Sequence, residues 1–307
     1  MNDDVAILGT GAMACLIGAA LQRAGSRVTL LGRWHAGVEA ITRAGVCVEE
    51  EGGAWRVSAR ALDLASAHPQ PSPRVLVLVK GHQTGTVVPD LQKAVAPGGS
   101  ILTLQNGWGP AAILAEACPR AQLSVGLAYI GATLMAPGVV RHAGGRRIVI
   151  DRAGESAWVA TLARAGFDLD AVDDIQPHVW AKLAVNCAIN PLTALHGVAN
   201  GVVVERPELR EQLVAAATEV GRVAQALQVA LPSGAAGLAL AAARLTAANR
   251  SSMLQDLDAG RLTEIEVLNG AVLREGRRLG LGLPVIERLY DEIVARERQM
   301  GLREGGQ

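Results

Sequence analysis

Aromatic side chains are scarce in this sequence: Phe, Tyr and Trp make up 3% of its 307 residues, against a hydrophobic share of 50%. Its cores must therefore be built from Ala, Val, Leu and Ile, and a chain so rich in them is not globally disordered. Cysteine is sparse as well. Cys15, Cys47, Cys118 and Cys187 are far apart and form no CxxC pair or Cys/His cluster. That spacing excludes a disulfide framework and a zinc-type site, so no metal is expected and the thiols read as reduced core residues of a cytoplasmic protein. Net charge is also missing, with 29 basic residues balanced by 29 acidic ones. Neutrality leaves no broad electrostatic footprint for nucleic acid or an anionic membrane, and neither is an expected partner. Among the basic residues lysine is rare, occurring only as Lys80, Lys93 and Lys182.

Residues 5–22, 121–140 and 183–204 carry no Asp, Glu, Lys or Arg, which would suit a membrane span by length. Gly9, Gly11 and Gly18 interrupt the first, Pro137 and Gly138 the second, and Asn186, Asn190, Pro191 and Asn200 the third. They are therefore expected to be buried elements of a soluble fold. The acidic start, Met1–Asp4, is the opposite of the basic region a signal peptide needs.

A chain of this length suits two domains. Apolar runs at 5–8, 28–31, 75–79 and 101–104 alternate with helical patterns, and the sheet is expected to continue through 124–128 and to end near 147–150. This alternation predicts an α/β fold whose N-terminal Rossmann-type, doubly wound parallel sheet ends in antiparallel edge strands. From about residue 174 the pattern is helical, over 176–196, 207–229, 233–248, 253–279 and 285–300. The expected organisation is a nucleotide-binding domain over 1–173, an all-α C-terminal substrate domain over 174–302, and a frayed tail over 303–307.

Between the first strand and the first helix lies Gly9-Thr10-Gly11-Ala12-Met13-Ala14, a GxGxxA form of the dinucleotide fingerprint. The turn needs Gly9, close approach of backbone to pyrophosphate needs Gly11, and helix packing needs a small residue at Ala14. After the second strand an NAD site would carry a carboxylate, but here Gly32 and Arg33 stand. A guanidinium there favours the 2′-phosphate of NADP. Lys80 is expected at the end of the strand VLVLVK, on the carboxyl edge of the sheet where ligands of such folds bind.

Lys182, Asn186 and Asn190 follow one another at i, i+4 and i+8 within HVWAKLAVNCAINPLTAL, so they share one helix face among apolar neighbours. A solvated face would carry charges, so this stripe is expected to line a cleft, with Pro191 breaking the helix directly after Asn190. Ser252, Asp256, Glu264 and Glu266 form a further cluster, expected on one helix or on a helix and its start, where Ser251 and Ser252 could serve as caps.

Together these motifs resemble the ketopantoate reductase family (2-dehydropantoate 2-reductase) over nearly the whole chain. The likeness rests on GTGAMA, Arg33, the VK at Lys80, LQNG with Asn106 and Gly107, the GA at Ala132, KLAVNCAINPLTAL, Asn200, and SSMLQD followed by TEIE. It implies reduction of 2-dehydropantoate to (R)-pantoate with NADPH, on the route to pantothenate and coenzyme A. Carried over by position, Gly9 to Ala14, Arg33, Lys80, Asn106, Ala132 and Glu264 would hold the cofactor. Lys182 would be the proton donor and Glu264 a site carboxylate, while Asn106, Lys182, Asn186, Asn190, Asn200 and Ser252 would bind substrate. Ala14 departs from the usual third glycine, which affects helix packing more than the turn. Placing the cofactor on the first domain and Lys182 on the second predicts chemistry in a cleft that closes on binding. Two other readings are a reductase of a different 2-keto acid and a non-catalytic NADP-binding sensor. The apolar helices after residue 210 would allow a homodimer, and a monomer equally.

Overall fold

The structure, a computed structural model, describes residues 3–152 and 158–303. It divides into two compact units, Met1–Gln105 with Pro110–Ile175, and Asn106–Gly109 with Gln176–Gln307. Residues 304–307, expected in the tail, lie outside the described part.

In the first unit the strands are β1 (Asp4–Leu8), β2 (Arg27–Gly32), β3 (Val46–Glu50), β4 (Gly53–Val57), β5 (Arg60–Asp63), β6 (Ser72–Val77), β7 (Val95–Thr103), β8 (Gln122–Ala136), β9 (Val139–Asp151) and β10 (Asp168–Val172). Six of them pair in parallel in the order β8-β7-β6-β1-β2-β5. Both faces are covered, so alternate residues point into two separate apolar layers. Val5, Ile7, Leu76 and Leu102 enter one layer, whereas Ala6, Leu8, Val75, Val77 and Ile101 enter the other. Near-continuous apolar runs therefore form the central strands, as in VAIL of β1 and VLV of β6, where both faces are buried.

Helices α1 (Ala12–Arg23), α2 (His35–Ala44), α3 (Thr84–Ala94), α4 (Pro110–Ala117) and α5 (Ala160–Arg164) complete the unit. β8 belongs to two pairings. Its first residues, from Gln122, run parallel to β7, and from Gly126 it runs antiparallel to β9. β9 in turn pairs with β3 and β10, and β3 with β4. The hairpin β3–β4 and strands β5 and β10 were not anticipated from the sequence.

The second unit is helical: α6 (Gln176–His196), α7 (Val202–Glu205), α8 (Pro207–Ala226), α9 (Ala235–Leu245), α10 (Ser252–Asp258), α11 (Asn269–Arg278) and α12 (Pro284–Gln299). Helix α6 is central and packs against α8, α9, α10 and α12 through an apolar core containing Leu183, Cys187, Ala188, Leu213, Val220, Ala239 and Ile293. The buried Glu219 of α8 accepts the backbone N–H groups of Val285 (3.1 Å) and Ile286 (2.8 Å), capping α12 where Pro284 begins it.

Three expectations are corrected. Pro191 does not end α6, which continues to His196. A proline at 191 frees the carbonyl of Cys187 four residues back, and the buried Asn269 supplies the missing donor through Nδ2 at 3.2 Å. The region 253–279 is two helices rather than one, because Gly260 takes φ +62° and closes α10. Arg303 is no frayed residue, since it pairs with Glu266 at 2.6 Å and with Glu297.

Candidate active site

In the first unit the glycine turn is tied to three strand ends. Gly9 N–H donates to the Leu31 carbonyl at 2.8 Å, and Leu78 N–H to the Leu8 carbonyl at 2.8 Å. Gly9 has φ +135°, and a Cβ there would lie 3.0 Å from the Leu78 carbonyl oxygen, so both conformation and space call for glycine. Thr10 packs on Gly32, where a Cβ would come within 2.6 Å of the threonine side chain, so the turn is locked to the end of β2 just before Arg33.

Gly11 is different: a Cβ there would meet nothing within 4 Å. It is the N-cap of α1, whose first turn has no side-chain cap and no acidic residue. Open space beside uncapped N–H groups fits a pyrophosphate, so the turn from Gly9 through Thr10, Gly11, Ala12 and Met13 to the fully buried Ala14 suits a dinucleotide. Ala132, on β8 opposite His142, packs against the same apolar layer as Ala12 and Met13.

Arg33 follows β2 and is held by the buried Asp90 of α3, with Nη2 donating to Oδ2 at 2.6 Å. The arginine side chain remains about half exposed, leaving further donors of its fork accessible. Lys80 does not end the strand. β6 stops at Val77, and Lys80 lies beyond it, its backbone N–H donating to Gln83 Oε1 at 3.3 Å ahead of a 3₁₀ turn at Gly81–Gln83. It thus remains at the carboxyl end of the parallel sheet, on a loop.

In the second unit α6 places Lys182, Asn186 and Asn190 along one face. Lys182 is half-buried, and burial pulls its ammonium down from 10.5 to about 8, with the Glu264 carboxylate opposing the shift. The side-chain amides of Asn186 and Asn190 form no hydrogen bond with any described residue, although Asn190 is buried. Two amides without a partner among the described residues, on the helix face that carries an ammonium, are a polar surface suited to a ligand.

Glu264 lies on the turn between α10 and α11, where it accepts from Asn106 Nδ2 at 3.4 Å. Asn106 and its neighbours are fixed there by Gly107, with φ +92°, and by the Trp108 N–H, which donates to the Val267 carbonyl at 2.8 Å. The ring of Trp108 also packs on that of Trp180, their centroids 5.1 Å apart. Lys182, Glu264 and Asn106 therefore form one group.

Two other expected residues are placed less directly. Asn200 is buried and donates to Thr246 Oγ1 at 2.8 Å, while its Oδ1 finds no partner among the described residues. Ser252 is exposed at the first position of α10; the cap is Ser251, whose Oγ accepts the Leu254 N–H at 3.1 Å and a hydrogen bond from Thr193 at 2.6 Å. Sequence reasoning missed Asp90 and Asn269. The orphan carbonyl implied by Pro191 could have signalled the second; nothing local signals the first.

Among the described residues no cluster could hold a metal ion, and no helix is long and apolar enough to cross a membrane. A nucleotide-binding sheet in one unit and a desolvated lysine beside a carboxylate in the other are the working parts of an NAD(P)-dependent oxidoreductase. Comparison with known proteins narrows the class. The ketopantoate reductase PanE/ApbA model matches residues 5–155, and its C-terminal counterpart matches residues 174–297. The 2-dehydropantoate 2-reductase of Halobacterium salinarum is 36% identical over 300 residues, 96% of this chain and 99% of its own. That of Archaeoglobus fulgidus is 36% identical over 291 residues, covering 92% and 93%. A PanE/ApbA family ketopantoate reductase from Ralstonia eutropha has a TM-score of 0.90 at 31% identity, covering 97% of this chain and 99% of that one. The chain belongs to the ketopantoate reductase family.

Proposed function

We propose that the protein is a 2-dehydropantoate 2-reductase that uses NADPH to make (R)-pantoate for pantothenate and coenzyme A synthesis. The observation that carries this reading is the face of α6 on which Lys182, Asn186 and Asn190 stand, with Glu264 acting on the lysine, in a member of this family. A bound nicotinamide cofactor would supply the hydride. As the keto carbon is reduced, negative charge grows on its oxygen, and the Lys182 ammonium both stabilises that charge and delivers the proton. An arginine could not deliver it, because a guanidinium does not give up its proton at this pH. A donor pulled down to about 8 transfers more readily than one at 10.5.

Asn186 and Asn190 hold the substrate hydroxyl and carboxylate without adding charge, and Asn200 and Ser252 extend that polar surface. Glu264 orients the ammonium and Asn106. Gly9 to Ala14 seat the pyrophosphate, Ala132 and Lys80 contribute to the same nucleotide site, and Arg33 reads the 2′-phosphate. The free state of all four cysteines supports a reducing, cytoplasmic setting.

The test follows NADPH absorbance with 2-dehydropantoate, beside NADH and beside 2-keto acids lacking the hydroxyl. Rapid oxidation restricted to NADPH and 2-dehydropantoate is expected. Preference for a keto acid without the hydroxyl would overturn the substrate, and cofactor binding with no turnover on any substrate would favour the sensor.

A further inference from the structure

Glu264 has no helix to hold it. It lies on the turn left after Gly260 closes α10 and before Asn269 opens α11, so something else must fix its direction. Both flanks of the turn are anchored to the far end of the chain. On one side, Thr263 N–H donates to Glu297 Oε1 at 2.8 Å, and Thr263 Oγ1 accepts the Ile265 N–H at 3.2 Å. On the other, Glu266 Oε1 accepts from Tyr290 OH at 2.7 Å and from Arg303 Nη1 at 2.6 Å. The Nε of that same Arg303 donates to the second oxygen of Glu297. Gly301, at φ +69°, turns the chain back after α12, and Leu302 N–H donates to the Glu297 carbonyl at 2.9 Å, which returns Arg303 to this place.

One guanidinium therefore bridges two carboxylates that hold the two sides of the Glu264 turn. Glu297 is fully buried, and a buried ion pair is seldom more stabilising than apolar packing of the same volume. What such a pair does supply is a fixed geometry, because a planar fork meets its carboxylates in few orientations.

We propose that Arg303, acting through Glu297 and Glu266, is a positioning residue for the reduction: it holds the Thr263–Glu266 turn so that Glu264 stays directed at Lys182 and Asn106. The inference rests on the reading that Lys182 and Glu264 do chemistry. It gives a role to the last described residue of the chain, remote in sequence from every motif of the site.

The test compares Arg303→Ala, Arg303→Lys and Glu266→Gln in the full-length enzyme with Glu264→Gln and Lys182→Met. Each protein is assayed for kcat, for KM and for binding of 2′,5′-ADP by calorimetry, a nucleotide probe that is independent of turnover. Arg303→Ala is expected to lower kcat by roughly ten- to hundredfold, the usual cost of a misplaced catalytic group, with 2′,5′-ADP affinity unchanged. Arg303→Lys is expected to recover only part of the loss, since an ammonium is not a planar fork. Should Arg303→Ala not fold, Glu266→Gln and Arg303→Lys carry the same expectation of reduced kcat at unchanged 2′,5′-ADP affinity. Normal kcat in the folded Arg303 and Glu266 variants, while Glu264→Gln and Lys182→Met are impaired, would overturn the positioning role alone. Normal kcat in Glu264→Gln and Lys182→Met would overturn the reading beneath it.

Discussion

Replacing Lys182 with methionine should make the protein more stable and nearly inactive at once. In the folded chain the ammonium titrates at about 8 rather than 10.5, chiefly because burial strips its water. At pH 7 that difference amounts to about 3 kcal/mol of destabilisation, at 1.36 kcal/mol for each tenfold change in proton affinity. The direction with pH follows from proton binding. Between about 8 and 10.5 the unfolded chain holds a proton on Lys182 that the folded chain has released, so rising pH favours the folded state in that window, and the penalty is complete below it.

Methionine has similar length and no charge, so Lys182→Met should gain up to about 3 kcal/mol at pH 7, and the gain should vanish by about pH 10.5. That value is already net of the attraction between the ammonium and the Glu264 carboxylate, which opposes the effect of burial. Urea unfolding of wild type and variants at pH 7 and pH 10 measures the difference, and parallel assays should show kcat reduced by at least about a hundredfold. In the wild type kcat should hold below about pH 8 and fall above it as the donor loses its proton. A variant less stable than wild type at pH 7, or one with nearly normal kcat, would refute the reasoning.

Arg33→Ala should raise KM for NADPH by roughly ten- to hundredfold, the worth of a charge-assisted contact, and leave KM for NADH unchanged; equal effects on both cofactors would argue against 2′-phosphate reading. Asn269→Ala should cost about 1–3 kcal/mol in urea unfolding by orphaning the Cys187 carbonyl, and adding Pro191→Ala should restore much of it by returning an N–H to that carbonyl. Glu219→Ala should lower stability by about 1–2 kcal/mol through loss of the α12 cap, visible as a lower Tm with kcat retained at 25 °C.

The parallel core of the first unit was legible because strands buried on both faces are near-continuously apolar, and 5–8, 28–31, 75–79 and 101–104 carry no polar residue but Thr29 and Thr103. Strands β3 and β4 were not, since VCVEE buries only Val46 and Val48, GAWRV buries no residue, and both carry charges that read as loop. The face of α6 was readable from spacing alone, yet its continuation past Pro191 depended on Asn269, 78 positions onward, which no local pattern reveals. Similarly, Gly260 was visible as a residue, but the helical periodicity on either side of it masked the break. Glu264 entered through family resemblance, because a lone carboxylate on a turn has no periodic signature of its own.

The sharing of β8 between two pairings has a consequence for anyone who would divide the first unit. Nine of its residues between Gly126 and Ala136 pair with β9, so a fragment ending before Val139 would present that length as an open edge with unsatisfied amides and carbonyls. Register shifts between Tyr129 and Gly131, Gly131 and Ala132, and Leu134 and Ala136 interrupt the regular pairing, so each stretch of β8 keeps its own register against β9. Both pairings draw on the same strand, and a fragment cut within β8 or β9 is expected to aggregate rather than fold.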